Sequence, residues 1–425
     1  MQILTFIITE VFGQGSIFLA SIAFIGLLLQ KKPVSEIIRG TCMTAIGFLV
    51  LNTGTGLITG NSIDGLITAF NYIMPSAESQ IYVDIATDYG TYVGIAMLLA
   101  FIINLLVAKF TKWKTVFLTG HMLSSFPYFF IGAALGAGLD GAPMLIVVTI
   151  FTALYLVICP NLMRPLVKDV TGSDAFSIGH PTTFFSVLSG YLAPLVGDKE
   201  KSAEDIKMPK SLSFLKEVTI TGSLVIALTY IVMYFVILAN GYNPGEIWQC
   251  GDQYFTYIFT HAAYFGVGIT ITLQGIRMEI AEILPAFKGF TDKIVPDAIP
   301  ALDCPTIFNY GPNALLIGFI TSMITSILTI ILTYGMFPTV VIPLTFTCFF
   351  EIGTAAIIAN KRGGIRACVI CSAICGVLSV FLVGLGAYFF NPTIQPMLLS
   401  WGGQDFDLWG IFVGLVSKLL VSFGL

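Results

Sequence analysis

Apolar runs follow one another along nearly the whole chain, each close to the ~20 residues that a bilayer-spanning helix needs, with short polar breaks between them. Reading runs against breaks predicts eleven spans: Val11–Gln30, Ile37–Thr59, Gly90–Phe110, Thr115–Ala137, Met144–Asn161, Val218–Ala239, Phe255–Gln274, Ala314–Tyr334, Phe337–Ala359, Ala367–Phe389 and Leu408–Leu425. No basic segment precedes the first run, so it reads as a span rather than a signal peptide. Asn61–Asp88 and Met278–Asn313 are semi-polar and bracketed by Pro and Gly. Such backbone cannot face lipid unpaired but can re-enter the membrane where protein covers it, so both are expected to be re-entrant hairpins. Asp169–Gly197 is a third irregular segment, and residues 197–216 form the one plainly hydrophilic linker.

Composition agrees with this pattern. Hydrophobic residues make up 56% of the 425 and charged residues only 10%, against about 25% charged in a soluble domain. Mean hydropathy is +0.90. The expected class is an all-α polytopic membrane protein, a single unit over residues 1–425. Each of the twenty Lys and Arg lies on, or close to, the same side of the eleven-span alternation, whereas the opposite loops Asn61–Asp88, Gly138–Pro143, Asn240–Tyr254 and Asn391–Asp407 contain none. Cytoplasmic loops concentrate basic residues. The expected orientation is therefore an N-terminus outside and a C-terminus in the cytoplasm.

The two semi-polar stretches are related. Ile73, Pro75, Ala77, Tyr89 and Gly90 recur as Ile294, Pro296, Ala298, Tyr310 and Gly311, at a constant offset of 221. The span after the first copy runs inward and the span after the second outward, which predicts two inverted repeats, residues 1–195 and 217–405, with an extra C-terminal span at 406–425. Inverted repeats place ligand sites where their interrupted segments meet. A transporter follows more naturally than a receptor or a membrane enzyme.

Ionisable groups inside a membrane are costly and mark candidate sites. His121 and His180 each follow a glycine beside a break in the apolar pattern. A structural hydrogen bond between helices is the bland alternative for His121. Asp303 lies in Pro300–Pro305 (PALDCP) and Glu78 in the corresponding part of the first copy, in Pro75–Ser79 (PSAES). Either carboxylate could accept hydrogen bonds from ligand hydroxyls, bind a coupling cation or cap a helix. His261 reads as structural or interfacial, and Glu279 and Glu282 as ion-pair partners of Arg277 on their own helix. Glu351, deep in an apolar run, has substrate, proton and interhelical roles all open.

Cys368, Cys371 and Cys375 lie in a continuous apolar helix pattern and are read as packing residues. No Walker A motif, no metal-ligand cluster and no basic nucleic-acid footprint is present, so no cofactor, metal or nucleic-acid partner is expected.

Several segments resemble the membrane (IIC) subunit of the bacterial phosphotransferase system, in its ascorbate-specific branch within the ascorbate/galactitol superfamily. They are Gly47–Gly56 (GFLVLNTGTG), Leu118–Met122 (LTGHM), Phe176–His180 (FSIGH), Gln274–Met278 (QGIRM), Ala301–Cys304 (ALDC) and Gly311–Ala314 (GPNA). The resemblance implies an eleven-span homodimer in the bacterial inner membrane, with a core domain and a V-shaped dimerisation domain. It implies elevator-type transport of L-ascorbate or a related sugar acid, phosphorylated by a separate IIB phosphocarrier, and no phosphoryl-acceptor residue in this chain. By the same resemblance His121, His180 and Asp303 contact the ligand, with Ala77, Glu78, Asn52 and Gly54 nearby, the last two in an Asn52–Gly56 turn. Where the family's ascorbate transporters carry glutamines after the Gly-His pairs, this chain has Ser125, Pro181 and Thr182; the hydroxyls of Ser125 and Thr182 are shorter and lack the paired donor and acceptor of an amide. The alternatives are a proton- or sodium-coupled secondary transporter, with Asp303, Glu351 or a histidine titrating, or a channel-like membrane protein.

Overall fold

The computed structural model describes residues 14–73, 83–206, 211, 214 and 217–425. Among them six helical segments are long and apolar enough to cross a membrane: Val34–Ile73, Gly90–Phe110, Gly141–Thr171, Val218–Ala239, Pro312–Leu332 and Thr345–Trp401. Large apolar side chains such as Phe110, Leu195, Phe255 and Leu332 stand exposed on the outside. That distribution suits a lipid solvent, where a helix satisfies its own backbone and needs no polar outer face.

In chain order the helices are α1 (Gly15–Leu29), α2 (Val34–Leu57), α3 (Asp64–Ile73), α4 (Ile85–Asp88), α5 (Gly90–Phe110), α6 (Gly120–Gly136), α7 (Gly141–Thr171) and α8 (Thr183–Val196). They continue with α9 (Val218–Ala239), α10 (Pro244–Ile247), α11 (Tyr254–Lys293), α12 (Pro312–Leu332), α13 (Thr345–Thr347), α14 (Gly353–Trp401) and α15 (Asp405–Ser422). A π-helical turn, Ile58–Ile63, joins α2 to α3, and another, Cys348–Ile352, joins α13 to α14. Inside α14 the backbone leaves helical geometry at Gly363, Gly364 and Ile394.

Three expectations change. Asn61–Ile73 continues the helix of the preceding span, and Met278–Lys293 continues α11, so the irregular part of each stretch is shorter than expected; residues 74–82 of the first lie outside the described residues. The Asn52–Gly56 segment is helical, inside α2, rather than a turn. Thr115–Ala137 is a strand followed by a helix, and Phe337–Ala359 is interrupted before α13, so neither is one continuous span. Local apolar content could not reveal these breaks, because the broken segments are as apolar as the helices beside them.

The chain is not wholly helical either. β1 (Thr115–Phe117), β2 (Ser177–Ile178) and β3 (Ile299–Leu302) form a parallel sheet in the order β1-β3-β2. Thr115 pairs with Ile299 and Phe117 with Ala301 on one side, and Ser177 with Ala301 and Ile178 with Leu302 on the other. Asn104 of α5 closes the free edge of β1: its side chain donates to the Thr115 carbonyl at 3.1 Å and accepts from the Phe117 N–H at 3.0 Å. Extended backbone survives in the interior because such partners satisfy it.

Two forty-residue helical rods, Val34–Ile73 and α11, cross where glycines remove the side chains. A Cβ on Gly54 would lie 2.7 Å from the Gly268 carbonyl oxygen, and one on Gly275 would lie 2.7 Å from that of Gly47. Gly47 and Gly268 are 221 residues apart, as are Gly54 and Gly275. Near the same spacing, α4 and α5 match the 3-10 helix Cys304–Tyr310 and α12.

The described part of the linker is pinned rather than loose. Asp198 N–H donates to the Gly363 carbonyl at 2.8 Å, and Ile365 N–H to that of Lys201 at 2.8 Å. The Glu204 carboxylate caps α12 by accepting from the N–H groups of Asn313 (3.1 Å) and Ala314 (2.9 Å). All three of Cys368, Cys371 and Cys375 are buried and free.

Candidate functional site

The three strands are parallel, so their C-terminal ends point the same way, the end where ligands gather on open parallel sheets. His121 follows β1 by one turn, His180 follows β2 after Gly179, and Asp303 directly follows β3. Asp303 also caps the 3-10 helix, its Oδ1 accepting from the Cys304 N–H at 2.7 Å. Residues drawn from three distant stretches of sequence thus meet at one edge.

His121 Nε2 lies 3.6 Å from Asp303 Oδ2, and His180 Nε2 lies 3.4 Å from Asp303 Oδ1. On its other side His180 Nδ1 lies 3.5 Å from Glu351 Oε1. These separations exceed the ~2.7–2.9 Å of a charge-assisted hydrogen bond, and binding sites often tighten only when a ligand enters. His180, Asp303 and Glu351 are buried, and His121 is partly exposed. The ligating atoms of His121, His180 and Asp303 fall within 4.8 Å of one another, a grouping compact enough for a cation. Three of the four imidazole nitrogens face a carboxyl oxygen, whereas His121 Nδ1 is buried with no hydrogen-bond partner among the described residues.

His121 opens this cluster onto a cavity of about 380 Å³, within the size range of small-molecule sites. Asn52, Thr55, Ser124 and Ser125 supply polar lining, and Phe48, Phe129, Met397, Trp401 and Phe406 the apolar walls. The Ser125 hydroxyl donates to the His121 carbonyl at 2.7 Å, and that of Ser124 donates to it at 3.1 Å. Both hydroxyls keep acceptor lone pairs for a ligand.

The other sequence candidates sit elsewhere. Gly54 faces α11 in the helix crossing. Thr182 is fully buried; its hydroxyl donates to the Glu351 carbonyl at 2.7 Å and lies 2.9 Å from Ser186 Oγ. The Pro181 carbonyl accepts from the Asp405 N–H at 3.3 Å. Pro181 and Thr182 therefore brace the His180 loop. Ala77 and Glu78 lie outside the described residues. His261 stacks on Tyr257 at 3.8 Å between ring centres, with Nδ1 2.9 Å from the Tyr257 carbonyl oxygen. Glu282 pairs with Arg39 of α2 at 3.1 Å rather than with Arg277, and Glu279 is buried. The on-helix pairs expected for these two are thus corrected, because α2 lies closer to Glu282 than its own helix neighbour. Arg277 instead lines a separate cavity of about 690 Å³ with Glu217, Thr306 and Asn309.

Two supports escaped the sequence reading. Asp405, in a segment read as an outer loop, is fully buried: its carboxylate accepts from the N–H groups of Thr183 and Phe184, both at 2.9 Å, and from the Tyr155 hydroxyl at 2.7 Å. That hydroxyl also lies 2.9 Å from the His180 carbonyl oxygen. Glu351 carried its signal openly, as a lone carboxylate in an apolar run, but nothing nearby in sequence named its partner.

Residues 10–403 match the protein family described as the sugar-specific permease component of the PTS system. A Mycoplasma pneumoniae protein described as an ascorbate-specific PTS system EIIC component is 25% identical over 465 aligned positions, which cover 95% of this chain and 70% of that protein.

Proposed function

We propose, from the premise that this chain belongs to the PTS sugar-specific permease component family and is a multi-pass membrane protein, that it carries a sugar acid, L-ascorbate first among candidates, inward for phosphorylation by a IIB partner. The observation that supports this most is the meeting of both Gly-His pairs with Asp303 beside a cavity of about 380 Å³. Two imidazoles can donate to an anionic oxygen while a carboxylate accepts from hydroxyls, a donor set suited to a sugar acid. Aromatic and apolar walls match the ring faces of such a ligand. The ligand-contacting set is His121, His180, Asp303, Ser125 and Asn52, with Pro181 and Thr182 acting through the His180 loop.

Transport follows the elevator scheme, in a homodimer of inverted repeats in the inner membrane, with the N-terminus outside. The 221-residue offset shared by the crossing glycines and by α5 and α12 supports the repeats; the distribution of Lys and Arg supports the orientation. Uptake into sealed vesicles tests the whole reading. Accumulation of the phosphate ester only when phosphorylated IIB protein is present is the expected result. Accumulation of unmodified ligand without the partner, collapsed by an ionophore, would instead mean coupled secondary transport.

A further inference from the structure

The carboxyl of Glu351 is fully buried, and among the described residues neither oxygen makes a well-formed hydrogen bond; Oε1 lies 3.5 Å from His180 Nδ1. The π-helical turn Cys348–Ile352 places it there, and such turns recur at functional sites. Its position against His180 is held from both sides. Thr182, two residues past His180, donates its hydroxyl to the Glu351 carbonyl at 2.7 Å, while the Tyr155 hydroxyl lies 2.9 Å from the His180 carbonyl oxygen.

His180 therefore stands between two carboxyl groups, Glu351 at Nδ1 and Asp303 at Nε2. An imidazole can hydrogen-bond to both only when the three groups share two protons. Three arrangements do so. Either His180 is a cation between two carboxylates, or one of the two acids is protonated and donates to the imidazole. The first arrangement, and the one with Asp303 protonated, leave a negative charge on Glu351. That charge would be fully buried, facing one ring nitrogen and its own backbone N–H and no cationic side chain among the described residues, a costly way to bury a carboxylate. The remaining arrangement leaves the charge on Asp303, which accepts from the Cys304 N–H and faces His121 at the cavity.

Among the described residues no cationic side chain other than His180 offsets a charge on Glu351. Around its turn, α12 and α13 contain no ionisable residue, and those of α8 and the 3-10 helix, Tyr191 and Tyr310, are exposed. Cys304 and Cys348 are neutral thiols in its neighbourhood, and Asp405 is another acid, held by Tyr155 and the α8 N-terminus. In α14, Lys361 and Arg366 are exposed, Arg362 pairs with Asp169 at 3.5 Å, the three cysteines are buried and free, and Tyr388 is exposed.

We propose that Glu351 is a neutral carboxylic acid that donates to His180 Nδ1 and so fixes His180 as the tautomer whose Nε2–H points at Asp303 and the ligand. Glu351 is thus a positioning residue, the outer partner that sets which face of an imidazole works. Its role toward the ligand rests on the function proposed above; its role toward His180 does not.

The chain has three histidines, so 15N-histidine labelling of the full-length protein resolves His180 by comparison with a His180→Asn sample. Without ligand, the wild type should show His180 as a single Nε2–H tautomer near neutral pH. Glu351→Gln, whose amide also donates, should keep that tautomer and bind L-ascorbate within about threefold of wild type. Glu351→Leu should give mixed tautomers and about tenfold weaker binding, the scale of one lost buried hydrogen bond. A wild-type His180 found as imidazolium or as the Nδ1–H tautomer would overturn the proposal, whether or not Glu351→Leu folds. So would Glu351→Leu keeping the single Nε2–H tautomer. If ascorbate binds none of these proteins, the ligand reading fails while the tautomer spectra still decide the role of Glu351.

Discussion

Tyr155 and Asp405, 250 residues apart, are joined by a hydrogen bond of 2.7 Å directly beneath the His180 loop. Asp405 also accepts from the first two N–H groups of α8, so one carboxylate holds both the helix start and the loop before it. Removing a helix N-cap costs roughly 0.5–2 kcal/mol, and orphaning buried donors adds to that. Asp405→Ala should lower the thermal unfolding midpoint and weaken ligand binding together. Tyr155→Phe should do less of both, since Asp405 keeps its two backbone bonds. Thermal unfolding and a titration on the same samples check this.

Ser125 lies one turn after His121 and lines the cavity. Its hydroxyl is already bonded to the His121 carbonyl at 2.7 Å. Ser125→Ala should therefore change affinity by no more than about threefold, whereas His121→Ala should cost about tenfold or more, by the scale of a lost buried polar contact. Equal losses in the two variants would mean that the hydroxyl leaves the helix backbone to hold the ligand.

The crossing of α2 with α11 has room only for hydrogen at Gly47, Gly54, Gly268 and Gly275, where a Cβ would press on at least one backbone atom in each case. Overpacking a filled interior typically costs about 1–3 kcal/mol. Backbone cannot yield as a side-chain tip can, so Gly54→Val and Gly275→Val should each fall at or above the top of that range. The expected readout is a lower unfolding midpoint and less folded protein. Gly56→Val on the same helix, where a Cβ meets nothing within 4 Å, should be tolerated.

At the end of α7, Asp174 receives two hydrogen bonds of 2.8 Å from Arg164. That bonding holds the Asp174 carboxyl below its usual 3.8, against a smaller opposing effect of burial. A depressed carboxylate contributes stability above its unfolded value and loses it as pH falls through the folded one. The pair is partly exposed, so solvent screening limits it to about 1 kcal/mol or less. Asp174→Asn should therefore cost little near neutrality, and the difference from wild type should shrink as pH falls below the 3.8 of an unperturbed Asp and through the lower folded value. Unfolding midpoints across pH check the sign.

The chain's membrane character was legible from its apolar runs, and two predicted spans coincide with α5 and α9. The β-strands were not legible. Thr115–Phe117 and Ser177–Ile178 are too short for an alternating pattern and pair only with a strand more than a hundred residues away. His121, His180 and Asp303 were visible because polar groups in apolar surroundings stand out. Asp405 was hidden for the opposite reason: it lies in a polar stretch that reads as a loop, and only the packing of α15 buries it. The glycines of the crossing were visible in sequence, but their shared offset gained meaning only once α2 and α11 were seen to touch.

The central claim is that His121, Asp303 and His180 together hold a sugar acid. The most direct measurement is a calorimetric titration of purified protein with L-ascorbate, galactitol and neutral hexoses, repeated with Asp303→Asn. The account predicts saturable binding of ascorbate in preference to the others, weakened about tenfold or more in Asp303→Asn, as for loss of a buried charged partner. Preference for galactitol or a hexose, or ascorbate binding unchanged in Asp303→Asn, would contradict it.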